Sequence, residues 1–154
     1  MTKRVAHKTR RRPGFFFPVA TRGRRDGWSF ERQCGFLAHL YFTGSVTAAA
    51  RAVGMSRESA HRLRARADGE SFAAAWDRIL EAPGSGRNSP TKTDYRKVTI
   101  ETLMRRAETG RVRPVIFRGR VTAIAVKPDN ATLFRLVRRL DASAAPVGPE
   151  AAGW

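Results

Sequence analysis

The chain reads as mainly α with a small β-hairpin, an α+β fold, and three observations predict it. Apolar residues recur at i, i+3, i+4 and i+7 in several separate segments, which is the period of amphipathic helices. One stretch, RPVIFRGRVTAIAV over 113–126, breaks that period with two β-rich runs around Arg118-Gly119-Arg120. The segment EAPGSGRNSPTKT over 81–93 loses periodicity altogether and divides a helical first half from a helix, hairpin, helix second half. A length of 154 residues suits one domain with tails, or two small subdomains.

The elements follow in order. Residues 1–27 carry basic clusters interrupted by Pro13, Gly14, Pro18 and Gly23, a composition that predicts a disordered arm. Phe15, Phe16 and Phe17 sit within it, and three consecutive aromatics seek cover on the domain or on a second protomer. Residues 28–80 form the first structured unit. Ser29 is placed to cap a helix from Phe30 to about Tyr41, with Glu31 in its first turn and a stripe of Phe30, Cys34, Leu37 and Tyr41. Ser45 and Ser56 stand before two further short helices, the first with Val46, Ala49, Ala50 and Val53 on one face and the second with Met55, Ala60 and Leu63 facing back. Gly54 occupies the sharp turn between them, where the backbone calls for positive φ, and Ala50 is small where the two helices cross. Ser71 is the expected cap of a fourth helix with Phe72, Ala75, Trp76 and Ile79, whose large aromatics read as core.

Residues 81–93 are the expected linker. The second unit, 94–141, opens with a helix over 94–109, in which Ile100, Leu103, Met104 and Ala107 share a face and Gly110 is the stop. Arg105 and Arg106 fall in its last turns, where positive charge complements the helix dipole. The hairpin pairs Val115 to Phe117 with Val121 to Val126, and a last helix from Pro128-Asp129-Asn130 sets Leu133, Leu136, Val137 and Leu140 opposite Arg135, Arg138 and Arg139. This unit is too small to bury much core alone, so it is expected to dock on the first half or on another protomer. Residues 142–154, rich in Ala, Pro and Gly, are the expected disordered tail.

The pattern carried by Ala49, Ala50, Val53, Gly54, Met55, Ala60 and Leu63 resembles the helix-turn-helix family of bacterial and phage DNA-binding proteins, over about two dozen residues. The resemblance implies that the second helix of the pair lies in the major groove with its N-terminal part nearest the bases. Ser45, Thr47, Ser56, Arg57, Glu58, His61 and Arg62 are then the candidates for base edges or adjacent phosphates, and Arg64 and Arg66 for phosphate. Arginine pairs bidentately with guanine, and Glu58 can accept from cytosine N4. Arg118 and Arg120, at the hairpin tip beside Arg113, are candidates for backbone or minor-groove contact. The competing reading is an alanine-rich helical hairpin with a solvated basic face. Four arginines against one acid on the second helix weigh against it, because a solvated face mixes the signs.

Charge points the same way. Thirty Lys and Arg against thirteen Asp and Glu give a net charge of +17, which favours a polyanionic partner through counterion release. The excess concentrates in residues 1–27, with nine basic side chains and one acidic, and in 81–128, with eleven and four. The arm would thus lie along a duplex or reach its minor groove, unless it is merely a solubilising tail. No apolar run approaches the about 20 residues that span a bilayer, and the short run at Phe15 is interrupted by Pro18, so neither a membrane span nor a secretory signal is expected. Cys34 is the only cysteine, which rules out an intramolecular disulfide and suits a small core residue in a reducing cytoplasm.

Three separated histidines, His7, His39 and His61, no paired carboxylates, no phosphate-cradling glycine loop and no zinc pattern leave no motif for catalysis, metal, cofactor or small-molecule ligand. The expected function is sequence-specific binding of double-stranded DNA by a homodimer, most simply a small, nucleoid-associated transcriptional regulator. Two alternatives stand beside it: an assembly component resembling a phage terminase small subunit, and a basic architectural protein with little sequence preference.

Overall fold

Six helices and one hairpin make up the described part of the chain, residues 10–21, 23, 25–81 and 98–144 of a computed structural model. Helix α1 spans Phe30–Thr43, α2 Val46–Ala52, α3 Arg57–Ala65 and α4 Glu70–Leu80. After residues 82–97, α5 runs over Ile100–Thr109, β1 (Arg111–Phe117) pairs antiparallel with β2 (Arg120–Lys127), and α6 covers Asn130–Ala144. The mainly α architecture with a small hairpin is therefore the one the sequence predicts.

Local chemistry sets most helix starts. The hydroxyls of Ser29, Ser45 and Ser56 accept from the amides of Arg32, Ala48 and Ser59, satisfying donors that the first turn leaves unpaired. Each such cap contributes about 1 kcal/mol. Ser71 does not cap α4. Gly69 holds the cap position, and the Ser71 hydroxyl inside the first turn accepts instead from the amide of Phe17 at 2.8 Å. Helix α5 starts at Ile100 rather than at 94, with Thr99 accepting from the amide of Thr102; residues 94–97 lie outside the described residues.

The hairpin is longer than its β-branched runs, reaching Arg111 and Lys127, because cross-strand pairing supplies hydrogen bonds that propensity alone does not call for. Helix α6 likewise continues through Ala144, past the expected boundary at 141, since nothing in Ala142-Ser143-Ala144 breaks a helix. The rest of the tail, 145–154, and most of the expected linker lie outside the described residues.

Helix α1 is the centre of the molecule. It buries Gln33, Cys34, Phe36, Leu37, Ala38 and Leu40, a wider face than the predicted stripe, whose Phe30 and Tyr41 are half-buried. Phe36 meets Trp28, Phe72 and Trp76 with ring centroids 5.6, 5.8 and 4.9 Å apart, so α1 and α4 close over a continuous aromatic cluster.

The largest departure from expectation is the arm. Residues 10–21 are not a disordered extension but part of the core: Phe16 and Val19 are fully buried, and Phe17 nearly so. Phe16 forms a two-way bridge with Val112, each amide donating to the other's carbonyl at 2.9 Å. The amide of Val19 donates to Gln33 Oε1, and Gln33 Nε2 donates back to the carbonyl of Val19, both at 2.8 Å. Arg10 donates to the carbonyls of Tyr41 and Phe42 at the C-terminal end of α1. Burying a phenylalanine stabilises by about 1.5–3 kcal/mol, and Phe16, Phe17 and Val19 act together with the paired amides to hold this Pro- and Gly-containing segment on the core. Residues 1–9, 22 and 24 lie outside the described residues.

The same segment ties the two halves together. Val112 of β1 belongs to the core cluster of the first half, and the buried Arg106 of α5 pairs with Glu70 of α4 while its guanidinium lies 4.7 Å from the centre of the Phe17 ring. Docking on the first half is thus how α5 and the hairpin find cover.

Candidate nucleic-acid interface

The α2–α3 pair is built from the turn outward. Gly54 has φ +75°, and the amide of Met55 donates to the carbonyl of Ala50 at 2.9 Å, which closes the turn. The turn lies close against α1, where a Cβ on Gly35 would meet Val53 Cγ1 at 3.0 Å. Ala49, Ala50, Ala60 and Leu63 are buried, and Val46, Val53 and Met55 pack partly buried against the same cluster. Trp28 Nε1 donates to Ser59 Oγ at 2.6 Å and so pins α3 from beneath. Every apolar position of the sequence pattern therefore faces inward.

What remains outward is polar apart from Ala52 and Ala65. Arg57, Glu58, His61 and Arg62 are exposed on α3, as are Ser45, Thr47 and Ser56 at the helix starts. The caps use an acceptor lone pair of Ser45 and Ser56, and each hydroxyl keeps a proton to donate. Glu58 sits in the first turn of α3, where the dipole favours a carboxylate. The His61 ring rests 5.2 Å from that of Trp76, a contact that limits its orientation.

The two arginines expected at phosphate are engaged within the fold. Arg64 lies 4.7 Å over Trp76 and pairs with both carboxylate oxygens of Asp77, at 2.9 and 3.1 Å, which locks α3 to α4. Arg66 pairs with Asp68 at 3.2 Å. Arg118 and Arg120 belong to a different element, the exposed tip of a hairpin that packs on α1. Arg118 adopts φ +51°, beside Gly119 at +73°.

Two positions escaped sequence reasoning. Arg51, one turn after Thr47 on α2, is exposed and carries the basic surface onto the first helix of the pair; its i+4 spacing from Thr47 was the available signal. Arg105 joins Arg62 and Arg66 in a cleft of about 920 Å³ between α3 and α5, and only the docking of α5 brings it there. It is paired with Glu101 at 3.3 Å, and Asp68 lies 4.0 Å away.

The buried thiol has no part in this surface. Burial, aided by nearby Glu31, pushes Cys34 up to about 12, so at neutral pH it is an inert thiol in the core. Burial also lowers His39 below its ordinary value of 6.5. Among the described residues no helix is long and apolar enough to cross a membrane, and no group of three or more His, Cys, Asp or Glu side chains is placed to hold a metal ion. No family model, curated protein or solved structure matches this chain.

Proposed function

We propose that the protein binds double-stranded DNA sequence-specifically through the exposed face of α3, acting as a homodimer that regulates transcription. The observation that carries this reading is the division of α3. Ala60 and Leu63 are buried and Ser59 is held by Trp28, while Arg57, Glu58, His61 and Arg62 are left outward on a rigid helix. Such a helix fits the major groove, and arginine and glutamate are the side chains that read guanine and cytosine edges there. The net charge of +17 supplies the sequence-independent attraction, and association with the nucleoid follows from it.

The second copy is assigned to α6. Leu133, Phe134, Val137 and Leu140 are exposed on that helix, with Phe134 70% accessible, and its three arginines lie at other positions around the helix. The Leu133, Val137 and Leu140 stripe carries no cation, Arg138 standing one turn from Phe134 at its side, so another copy can pack along it without direct like-charge contact, and pairing would bring two α3 helices to two half-sites. The same apolar face also favours a second reading, a larger oligomer for DNA packaging.

Selection of sites from a random duplex pool at about 150 mM salt, where nonspecific phosphate binding is weak, tests the function. Enrichment of an inverted repeat is the expected result. Tight binding with no enriched motif would overturn sequence-specific reading and leave an architectural role, and a native mass of many subunits would replace regulation by packaging.

A further inference from the structure

The outer face of the hairpin gathers three cations about one aromatic ring. In the register of the strands Arg111 lies directly opposite Lys127, and Arg113 follows two residues later on the same face. The guanidinium carbons of Arg111 and Arg113 lie 6.0 and 5.0 Å from the centre of the Phe15 ring, and Lys127 Nζ lies 5.8 Å from it. Among the described residues no carboxylate forms an ion pair with any of the three. Arg111 Nε is moreover buried without a hydrogen-bond acceptor among the described residues.

That arrangement opposes folding. Like charges directly across a strand pair repel, and an unpaired buried donor adds the cost of its lost hydration. The ring offsets part of this, since its π face attracts each cation, yet one ring cannot neutralise three charges. An anion seated among the three would remove the repulsion and accept their hydrogen bonds. Phosphate, with several oxygens and a full negative charge, matches two guanidinium groups and an ammonium.

We infer that Phe15, Arg111, Arg113 and Lys127 form a phosphate cradle that holds the backbone of the bound nucleic acid, separate from the α3 surface. The inference rests on the proposed DNA binding for the identity of its ligand, while its geometry stands independently of it. Both helix-turn-helix reading and the cradle then have distinct tasks: α3 selects the sequence and the hairpin face adds affinity to any duplex.

The test compares the full chain with Arg113→Gln/Lys127→Gln, both at exposed positions, and with Arg78→Gln/Arg138→Gln, which removes two exposed cations elsewhere. Single Arg113→Gln serves as a second variant should the double one fold poorly. Without ligand, Arg113→Gln/Lys127→Gln is expected to melt no lower than the parent, because it relieves repulsion. Sodium tripolyphosphate is expected to raise the melting temperature of the parent and of Arg78→Gln/Arg138→Gln, and to lose most of that effect on the cradle variant. On duplex DNA the slope of log affinity against log salt is expected to fall by about 2 with the selected motif unchanged.

Equal tripolyphosphate responses in the two double variants overturn the cradle. A lost tripolyphosphate response with an unchanged duplex slope overturns the nucleic-acid backbone as its ligand, in favour of a free polyphosphate. Failure of the parent to select a DNA motif strikes the α3 reading and leaves the tripolyphosphate comparison intact, so the two failures are told apart.

Discussion

On the proposed reading, arginines on a nine-residue helix divide between recognition and scaffolding. Arg57 and Arg62 are exposed, whereas Arg64, two residues from Arg62, is stacked on Trp76 and clasped by Asp77. Substituting Arg57 or Arg62 by Ala is expected to weaken specific binding by about 1–3 kcal/mol, roughly 5- to 150-fold, and to relax one base position with the melting temperature unchanged. Arg64→Ala is expected to do the reverse, lowering thermal stability while the selected sequence stays the same. Site selection and thermal denaturation of the three variants decide between them, and a shifted motif in Arg64→Ala would refute the division. A single residue also adds a pH dependence. Burial holds His39 neutral below its ordinary pKa of 6.5, so on acidification the unfolded chain takes up a proton that the folded chain resists. Its contribution is complete above pH 6.5 and is lost as pH falls from there, and urea midpoints of His39→Gln are expected to decline less than those of the parent between pH 7 and 5.

At the scale of elements, the α2–turn–α3 pair was legible because its causes are local. Gly54 at positive φ, small Ala50 at the crossing and two serine caps all act within a few residues of themselves. The arm was not legible, because its causes are distant. Val19 is satisfied by Gln33 and Phe16 by Val112, partners that neither spacing nor composition can indicate. Gln33 lies outside the predicted stripe of Phe30, Cys34, Leu37 and Tyr41, yet it is fully buried and its amide also donates to the carbonyl of Trp28 at 3.0 Å. The proposed cradle on the outer face of the hairpin was hidden for the same reason, since Phe15 reaches Lys127 only after the arm has docked. Gln33→Ala should therefore leave the amide and carbonyl of Val19 without partners, while the Trp28 carbonyl keeps the Thr21 hydroxyl at 2.8 Å. The expected cost is about 2–4 kcal/mol of stability, with the arm released to proteases ahead of global unfolding. Urea denaturation and limited proteolysis measure the two effects, and an arm that stays protected in Gln33→Ala would mean that Phe16 and Phe17 hold it unaided.

For the whole molecule, charge and apolar surface pull in opposite directions. A chain of net charge +17 resists meeting its own kind, and yet it leaves Leu133, Phe134, Val137 and Leu140 in water on α6. Leu133, Val137, Leu140 and Ala144 are spaced 4, 3 and 4 residues apart, the rhythm of a seam that pairs with another helix. Around this helix Arg135, Arg138 and Arg139 stand off that seam, so two copies meeting along it bury apolar side chains without bringing these cations into the contact. DNA would then reinforce the pairing by neutralising what keeps the copies apart, and pairing in turn would hold two α3 helices for simultaneous contact, making the second contact effectively intramolecular. Val137→Glu places a charge in the middle of the seam at a position already 45% exposed, where it should disturb the monomer little. The expected outcome is a monomer by sedimentation with unchanged helical circular dichroism, and an affinity that falls at least tenfold on a duplex bearing two half-sites but hardly changes on one bearing a single half-site. Equal losses on both duplexes would show that α6 does not couple the two reading heads.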